Sequence, residues 1–278
     1  MEELNNILIS CGAANAETIY FSDCVVINEK LIHNIGFKPK AVCIGIIPYY
    51  TSYCDKERTV SAYALAYDYH NLIREIGEKS VGMAKSIFPH ANFKFFGDHS
   101  PINEKDAAAK AGLGIIGENS LLITKEFSSY VFLFELLTDM ECGKPANEIS
   151  YCEKCGRCTK ACPGYLAGKG DCLSAITQKK GELSHNEEEM IGNNGSVWGC
   201  DICQEVCPYT KAAIQQGTIY ASLPWFTNNI ISIPTNDTVE NSDDFKKRAY
   251  SWRGKATILR NIQILNSKTE KTAEEEND

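Results

Sequence analysis

Two groups of cysteines have the spacing in this chain that points most directly to chemistry. The first group follows the pattern C-x2-C-x2-C-x3-C-P, the second ends in another Cys-Pro pair, and a single cysteine lies between them. Short steps of this kind allow three thiolates to converge on three corners of one iron–sulfur cube, while the fourth cysteine ligates a second cube. We therefore expect one [4Fe–4S] cluster on Cys152, Cys155, Cys158 and Cys207, and a second on Cys162, Cys172, Cys200 and Cys203.

Zinc sites and a disulfide framework are the alternatives for the same cysteines. Zinc needs only four thiolates per ion and does not require a proline after the last cysteine of each group. Thirteen cysteines are present, and the five outside the cluster pattern are scattered through apolar sequence: Cys11, Cys24, Cys43, Cys54 and Cys142. An odd remainder of this kind argues against disulfides and indicates free thiols in a reducing compartment.

Composition indicates an ordinary globular protein. The chain is 44% hydrophobic and 23% charged. Its 278 residues are enough to form two domains, each with a hydrophobic core. The acidic start Met1-Glu-Glu does not resemble a signal peptide, and no apolar run approaches the roughly 18 residues of a membrane helix. We therefore expect a cytoplasmic protein with no membrane partner.

The net charge of −8 means that the chain has no overall excess of basic residues of the kind that binds a nucleic acid. A local basic patch is possible near the C-terminus, although the same residues are equally well explained as a solvated helix face: Lys246, Lys247, Arg248, Arg253, Lys255 and Arg260. The terminal residues 267–278 are rich in glutamate, which predicts an acidic disordered tail.

Hydrophobic periodicity predicts the elements around these motifs. We expect helices over 2–13, from Arg58 to Lys79 with Gly82 beyond the end, from Asn103 to Gly112, and over 245–266. We expect strands at Val42–Ile47, which should be central, at Asn92–Asp98, and at 120–124 and 130–137, the last two adjacent in a hairpin. Residues 182–196 should form a surface loop and 232–244 an irregular segment.

A glycine motif at Gly112-Leu-Gly114-Ile-Ile-Gly117 matches the dinucleotide fingerprint G-x-G-x-x-G. That fingerprint requires a strand before it and a helix after it, and here the predicted order is the reverse. We therefore interpret the glycines as a tight turn, or as a place where the backbone approaches a large flat ligand.

Asp98 is the best candidate for an acid–base residue. It lies between an apolar strand and a Ser-Pro turn. One interpretation is a turn or helix-start residue. The other is a general acid at a strand end, where partial burial raises the pKa of a carboxyl group.

The succession of motifs resembles the epoxyqueuosine reductase family, from about Val42 to Leu265. The likeness includes both cysteine groups and several other motifs: Ser61-Ala-Tyr63-Ala-Leu-Ala-Tyr-Asp68-Tyr69-His70, Asp98-His-Ser-Pro101, Lys110-Ala-Gly112-Leu-Gly114, Phe132-Leu-Phe-Glu135-Leu-Leu-Thr-Asp139, Cys172-Leu-Ser-Ala-Ile-Thr177 and Trp198-Gly-Cys200-Asp201. Ala62 and Ala66 stand where the family usually carries Arg and Gly.

The resemblance implies an α+β protein. Its parts would be an α/β cobalamin-binding core similar to reductive dehalogenases and nitroreductases, a ferredoxin-like domain for two [4Fe–4S] clusters, and a short C-terminal helical segment. It implies reduction of epoxyqueuosine in tRNA to queuosine, the last step of queuosine biosynthesis, with electrons from an external low-potential donor. Asp98 matches the family's proton donor, and the residues that would border the corrin are Ser61, Asp98, Asn119, Ser120, Thr177, Gln178 and Lys179.

The expected domains are contiguous. Residues 1–147 form the cobalamin and substrate domain, 148–211 the cluster domain, 212–266 the C-terminal packing and helical segment, and 267–278 the tail. Two other functions stay open. One is a paralogous cobalamin and iron–sulfur reductase acting on a small molecule or a protein partner, which the acidic charge favours. The other is a ferredoxin-like electron carrier, which leaves the α/β sequence before the first cluster cysteine unexplained.

Overall fold

The computed structural model describes residues 2–241 and 243–275. The first half of the chain mixes helices and strands: α1 Glu2–Cys11, β1 Asn15–Tyr20, α2 Glu29–His33, β2 Ala41–Pro48, α3 Tyr69–Ile87, β3 Phe93–Phe96, α4 Glu104–Ala111, β4 Ile115–Ile116, β5 Leu122–Ile123 and β6 Val131–Thr138. The second half contains helices: α5 Arg157–Ala161, α6 Leu173–Thr177, α7 His185–Asn194, α8 Ile202–Glu205, α9 Pro208–Gln216, α10 Asn236–Glu240 and α11 Lys255–Glu275. This is the α+β class expected from the sequence.

Backbone contacts divide the chain into two units. The first unit consists of Met1–Tyr49, His70–Cys155 and Pro208–Leu223, and the second of Tyr50–Tyr69, Gly156–Cys207 and Pro224–Asp278. Each unit is therefore assembled from three separate chain segments, and the contiguous boundaries at 147, 211 and 266 stay a prediction. Within the described residues, every helix is too short or too polar to cross a bilayer.

The first unit is built on a four-stranded antiparallel sheet in the order β1-β2-β6-β3. Every residue of β2 is buried, since this strand is apolar on both faces and has a hydrogen-bonded neighbour on each side. The predicted central strand is confirmed. The predicted strand before Asp98 is also confirmed, because β3 pairs with β6 at the edge of the sheet and ends two residues before Asp98.

Helix α4 packs its alanines against this sheet. Ala107 and Ala108 are fully buried in the same apolar cluster as Ile44 and Ile46 of β2. The Asn103 side chain accepts a hydrogen bond from the Asp106 amide, and Gly112 ends the helix in the left-handed conformation at φ 89°. The predicted start and stop of this helix are therefore confirmed.

The pairing predicted for the next two strands is wrong. Strand β5 pairs with β4, whereas β6 pairs with β2 and β3. The glycine motif explains the difference, because a Cβ on Gly114 would lie 2.5 Å from the Ile123 carbonyl oxygen, so only glycine allows β4 to lie this close to β5. The motif follows helix α4 and precedes strand β5, which is the reverse of a dinucleotide site.

The predicted helix from Arg58 to Lys79 is wrong in position. The helix is α3, which begins at Tyr69 and continues through Gly82 to Ile87. Residues before it are held in extended and 3-10 conformations, because the Ser61 amide donates to the Trp198 carbonyl at 2.7 Å in the second unit. Helical periodicity in this stretch was overridden by pairing with a distant segment.

The second unit gathers short helices around a small core. Leu173, Ile176 and Ile191 are its buried centre, and the partly buried Cys200 and Ile264 pack against it. The predicted loop over 182–196 is wrong, since α7 occupies most of it and begins with a capping box between Ser184 and Glu187.

The C-terminal helical segment is present in a modified form. Residues Asp243–Lys247 and Ser251–Arg253 form 3-10 turns, and α11 runs from Lys255 to Glu275. The segment 232–244 contains the short helix α10 rather than being wholly irregular. The backbone of residues 267–275 continues α11, in contrast to the predicted disorder, and residues 276–278 of the predicted tail lie outside the described residues.

Candidate functional site

All four predicted ligands of the second cluster lie in the second unit. Cys162 ends helix α5, Cys203 lies in α8, and these two helices pack against each other. Cys172 is the N-cap residue of α6, and Cys200 lies two residues before α8. Burial raises the pKa of the Cys200 thiol to about 12, and the charges of Asp201, Cys203 and Cys172 add to this effect. Cys172 and Cys203 are therefore close enough to Cys200 to interact with it electrostatically.

A zinc ion and an iron–sulfur cube place different demands on the positions of these thiols. Zinc holds thiolates about 2.3 Å from one point, and in the described part of the chain no group of three or more potential ligands is arranged around one metal ion. A cube separates its thiolates by placing each on a different corner. In the described part of the chain, which includes all thirteen cysteines, no disulfide is formed. Coordination by iron removes the thiol proton, so the raised pKa of Cys200 describes the side chain before the cluster binds.

The other four predicted ligands divide between the units. Cys152 and Cys155 belong to the first unit, and Cys158 and Cys207 belong to the second. Cys158 lies in α5 and Cys207 lies two residues after α8, so the packing of these helices brings their two segments together. The assignment of all four to one cluster stays a prediction.

The backbone after the glycine motif contacts the first of these ligands. The Cys152 amide donates to the Ile116 carbonyl at 3.0 Å, and the Glu118 amide donates to the Cys152 Sγ at 3.3 Å. The glycine turn thus brings a backbone N–H to a predicted cluster thiolate. Hydrogen bonds to ligand sulfur are among the features that set cluster potentials.

Asp98 lies on the loop between β3 and α4 in an unusual conformation. Its φ is 64°, in the left-handed region, and its Oδ2 lies 2.9 Å from the His70 Nε2. Its amide donates to the Glu104 Oε1 at 3.2 Å. Asp98 and Glu104 help to line a cavity of about 320 Å³ in the first unit. A partly exposed carboxyl beside a cavity is suited to giving a proton to a bound molecule.

A second acidic residue near the Asp98 loop is Glu135. Glu135 of β6 is completely buried, and burial together with the Glu104 charge raises its pKa well above the usual carboxyl range. Burial, together with the Asp98 charge, also raises the pKa of Glu104. We assigned no role to Glu104, Glu135 or His70 from the sequence. The sequence did contain a signal for Glu135, because it is the single acidic residue in the apolar run 131–137, and such a residue is rarely buried without a specific role.

Asn119 and Ser120 form the turn between β4 and β5. Ser120 has a φ of 63°, and its carbonyl accepts a hydrogen bond from the Lys105 ammonium at 2.7 Å. The Asn119 Oδ1 accepts from the Leu121 amide at 3.4 Å. Because Lys105 follows Glu104 in α4, the first unit places this predicted corrin-binding turn close to the Asp98 loop.

The predicted corrin-binding side chains of the second unit bond within that unit. Thr177 is buried, accepts from the Gly199 amide at 3.0 Å and donates to the Ser174 carbonyl at 2.8 Å. Gln178 also bonds to Ser174, and Lys179 forms ion pairs with Asp171 and Glu187. These contacts support local structure, and corrin binding by these residues stays a prediction.

Ser61 belongs to a buried polar network that sequence reasoning missed. Its hydroxyl donates to the Asp201 Oδ1 at 2.5 Å, and the Ala62 amide donates to the Oδ2 at 2.7 Å. The Arg58 Nη1 lies 2.8 Å from the same carboxylate, and the Arg58 Nη2 pairs with Glu205. Asp201 lies between two predicted cluster ligands, so the network fixes the backbone that carries Cys200 and Cys203. The sequence signal that could have identified Asp201 was its position next to Cys200, a predicted cluster ligand.

Residues 151–210 match the family model described as a 4Fe-4S double cluster binding domain. This match defines the chain as an iron–sulfur protein with a domain for two [4Fe–4S] clusters.

Comparison with whole proteins is more specific. The epoxyqueuosine reductase of Listeria monocytogenes is 33% identical over 276 residues, an alignment that covers 89% of this chain and 70% of that protein. The chain therefore belongs to the epoxyqueuosine reductase family. The enzyme of Lactococcus garvieae is 34% identical over 206 residues, covering 70% of this chain but 57% of that protein.

Solved structures agree on the fold. A crystal structure of epoxyqueuosine reductase with an epoxyqueuosine-modified tRNA-Tyr stem loop has a TM-score of 0.75 at 24% identity, covering 95% of this chain and 80% of that chain. The Streptococcus thermophilus epoxyqueuosine reductase has a TM-score of 0.72 at 23% identity, covering 96% and 81%.

Proposed function

We propose that this protein is an iron–sulfur oxidoreductase that reduces the epoxide of epoxyqueuosine in tRNA to the alkene of queuosine. The observation that carries the proposal is the 276-residue likeness to the Listeria monocytogenes epoxyqueuosine reductase. The arrangement of Asp98 agrees with it, because this carboxyl lies beside a cavity with a histidine partner.

Reduction of an epoxide to an alkene consumes two electrons and two protons and releases the oxygen as water. When bound, two [4Fe–4S] clusters supply single electrons at low potential and cobalamin supplies the cobalt chemistry for carbon–oxygen cleavage. Asp98 donates a proton from its carboxyl to the departing oxygen. His70 orients that carboxyl through the contact at 2.9 Å.

The proposed ligands of the first cluster are Cys152, Cys155, Cys158 and Cys207, and those of the second are Cys162, Cys172, Cys200 and Cys203. The proposed corrin-binding residues are Ser61, Asp98, Asn119, Ser120, Thr177, Gln178 and Lys179. The left-handed Ser120 turn supports this assignment in the first unit, because its bond to Lys105 holds it near the Asp98 loop. An external low-potential donor supplies the electrons. Thirteen cysteines without a disulfide among the described residues support a cytoplasmic location.

tRNA is the proposed substrate, by analogy with the solved epoxyqueuosine reductase that holds a modified tRNA stem loop. Exposed Lys246, Lys247 and Lys255 support a basic contact for phosphate. Arg248 and Arg260 do not contribute, because Arg248 bonds to the Leu65 and Asn229 carbonyls and Arg260 to those of Lys179 and Gly181.

A paralogous reductase for a small molecule or a protein partner is the second candidate. The net charge of −8 favours it, since a phosphate backbone is bound mainly by Lys and Arg.

The deciding experiment incubates anaerobically reconstituted protein, cobalamin and a chemical reductant with epoxyqueuosine-bearing tRNA. Mass spectrometry of the nucleosides should show queuosine, and Asp98→Asn protein is the matched control. Formation of no queuosine under conditions in which the Listeria monocytogenes enzyme is active would reject tRNA as the substrate and favour the paralogue.

A further inference from the structure

Glu135 is an acid at a place in the sheet where an apolar residue is expected. It lies in β6 opposite Ile44 of β2 and Phe96 of β3, and no part of its side chain is exposed. Neither of its carboxylate oxygens has a hydrogen-bond partner of acceptable geometry among the described residues. An isolated charge at such a site is too costly to keep, so this group must hold a proton or share one.

Glu104 is the group with which a proton can be shared. Its carboxyl lies within hydrogen-bonding reach of Glu135, yet two ionised carboxylates offer only acceptors to each other. A single proton converts this repulsive contact into a hydrogen bond. Carboxyl groups held this closely titrate as a pair and keep one proton over a wide pH range.

The surroundings of the pair contain more acids than bases. Ser100 lies beside Glu135, Asp98 faces Glu104 from the loop, and Cys24 is close enough to feel the Glu135 charge. Lys105 is the nearby base on α4, but its ammonium donates to the Ser120 carbonyl. Asp106, also on α4, is neutralised by Lys110 at 2.8 Å. Among the described residues, no ion pair removes the need for a proton between the two glutamates.

The pair is connected to Asp98 through the backbone. The Glu104 Oε1 accepts the Asp98 N–H at 3.2 Å, and Asp98 adopts a left-handed conformation that needs such support. A shared proton holds Glu104 in place to accept this bond. Loss of that proton sets two negative charges against each other, drives the more exposed Glu104 away, and frees the Asp98 amide.

We propose that Glu104 and Glu135 are a positioning pair, whose one shared proton locks the turn that presents Asp98 to the substrate. The lock itself is a property of the folded chain. Its effect on turnover, an earlier alkaline loss of activity than in a variant with a permanent lock, rests on the proposed role of Asp98.

The test compares wild-type protein with Glu135→Gln across pH. The glutamine amide donates permanently to the Glu104 carboxylate, so the lock no longer titrates. Glu141→Gln is the matched control, because that carboxyl is 76% exposed just beyond the same strand. The measurement is residue-resolved hydrogen–deuterium exchange of the Asp98 amide in anaerobic holoprotein, without substrate.

In wild type and in the Glu141→Gln control, protection of the Asp98 amide should fall about tenfold as the pH rises through the titration of the pair, the effect of one hydrogen bond to a charged group. In Glu135→Gln protein, protection should stay constant. The infrared band of a protonated buried carboxyl should also be present in wild type and absent from the glutamine variant.

Equal protection at every pH in wild type, or the same pH profile in Glu135→Gln, would overturn the proposal. If Glu135→Gln does not fold, Glu104→Gln gives the same test, because its amide oxygen still accepts the Asp98 N–H and does not titrate. A protein that shows the lock but produces no queuosine would reject the proposed function alone.

Discussion

Removal of the Asp201 carboxylate should destabilise the second unit more than any exposed acid there. Asp201 is 3% exposed and accepts hydrogen bonds from four donors: Arg58, the Ser61 hydroxyl, the Ala62 amide and the Gln204 side chain. Asp201→Ala leaves all four donors without this acceptor. It also leaves the Arg58 guanidinium, which is 11% exposed, without its buried partner.

The expected cost follows from that geometry. Removing one partner of a buried ion pair costs about 3–5 kcal/mol, because the remaining charge stays desolvated. In a protein of this size each kcal/mol lowers the melting temperature by roughly 2–4 °C, so we expect a fall of about 10 °C. Cys200 and Cys203 flank Asp201, so the variant should also lose iron and sulfide from the second cluster.

Glu205→Ala is the matched control. Glu205 pairs with the same Arg58, but its side chain is 49% exposed, so its loss should cost less than about 1 kcal/mol. The assays are thermal unfolding of anaerobic holoprotein, followed by circular dichroism, and chemical determination of iron and sulfide. Equal melting temperatures and full iron content in both variants would refute the argument from burial.

Three further predictions concern the proton donor, the buried acid and the clusters. Asp98→Asn should keep both clusters and cobalamin, checked by absorption spectra, while turnover on epoxyqueuosine-bearing tRNA falls by about 10²-fold or more; full activity would remove Asp98 from the mechanism. The pKa of Glu135 is raised in the folded state, so its stabilising contribution is complete below its unfolded pKa and is lost as pH rises through the folded value. In urea unfolding, the wild-type free energy of unfolding should fall at alkaline pH by about 1.4 kcal/mol for each unit by which the pKa is raised. Glu135→Gln should abolish this fall, and the same pH dependence in both proteins would contradict the argument from burial. Anaerobic protein should hold about eight irons with matching sulfide, whereas one or two zinc ions without sulfide would reject the clusters.

Local signals in the sequence were sufficient for several elements. Asn103 and Gly112 predicted both ends of α4, because caps depend on neighbouring residues alone. The apolar run at Val42–Ile47 predicted the central strand β2, because a short continuous apolar segment is itself the signal of a buried strand. Helical periodicity before Tyr69 gave a wrong prediction. The backbone hydrogen bond between Ser61 and Trp198 outweighs the local preference of this segment for a helix.

Sequence alone determined the cysteine pattern and the position of Asp98 after a strand, since both depend on short spacings along the chain. Only the tertiary structure decided which acids lie beside them. Glu135 and Glu104 meet because β6 and α4 pack in one unit, and Arg58 reaches Asp201 across 143 residues of sequence. The strength of such contacts depends on burial and distance, and neither is determined until distant segments of the chain have folded together.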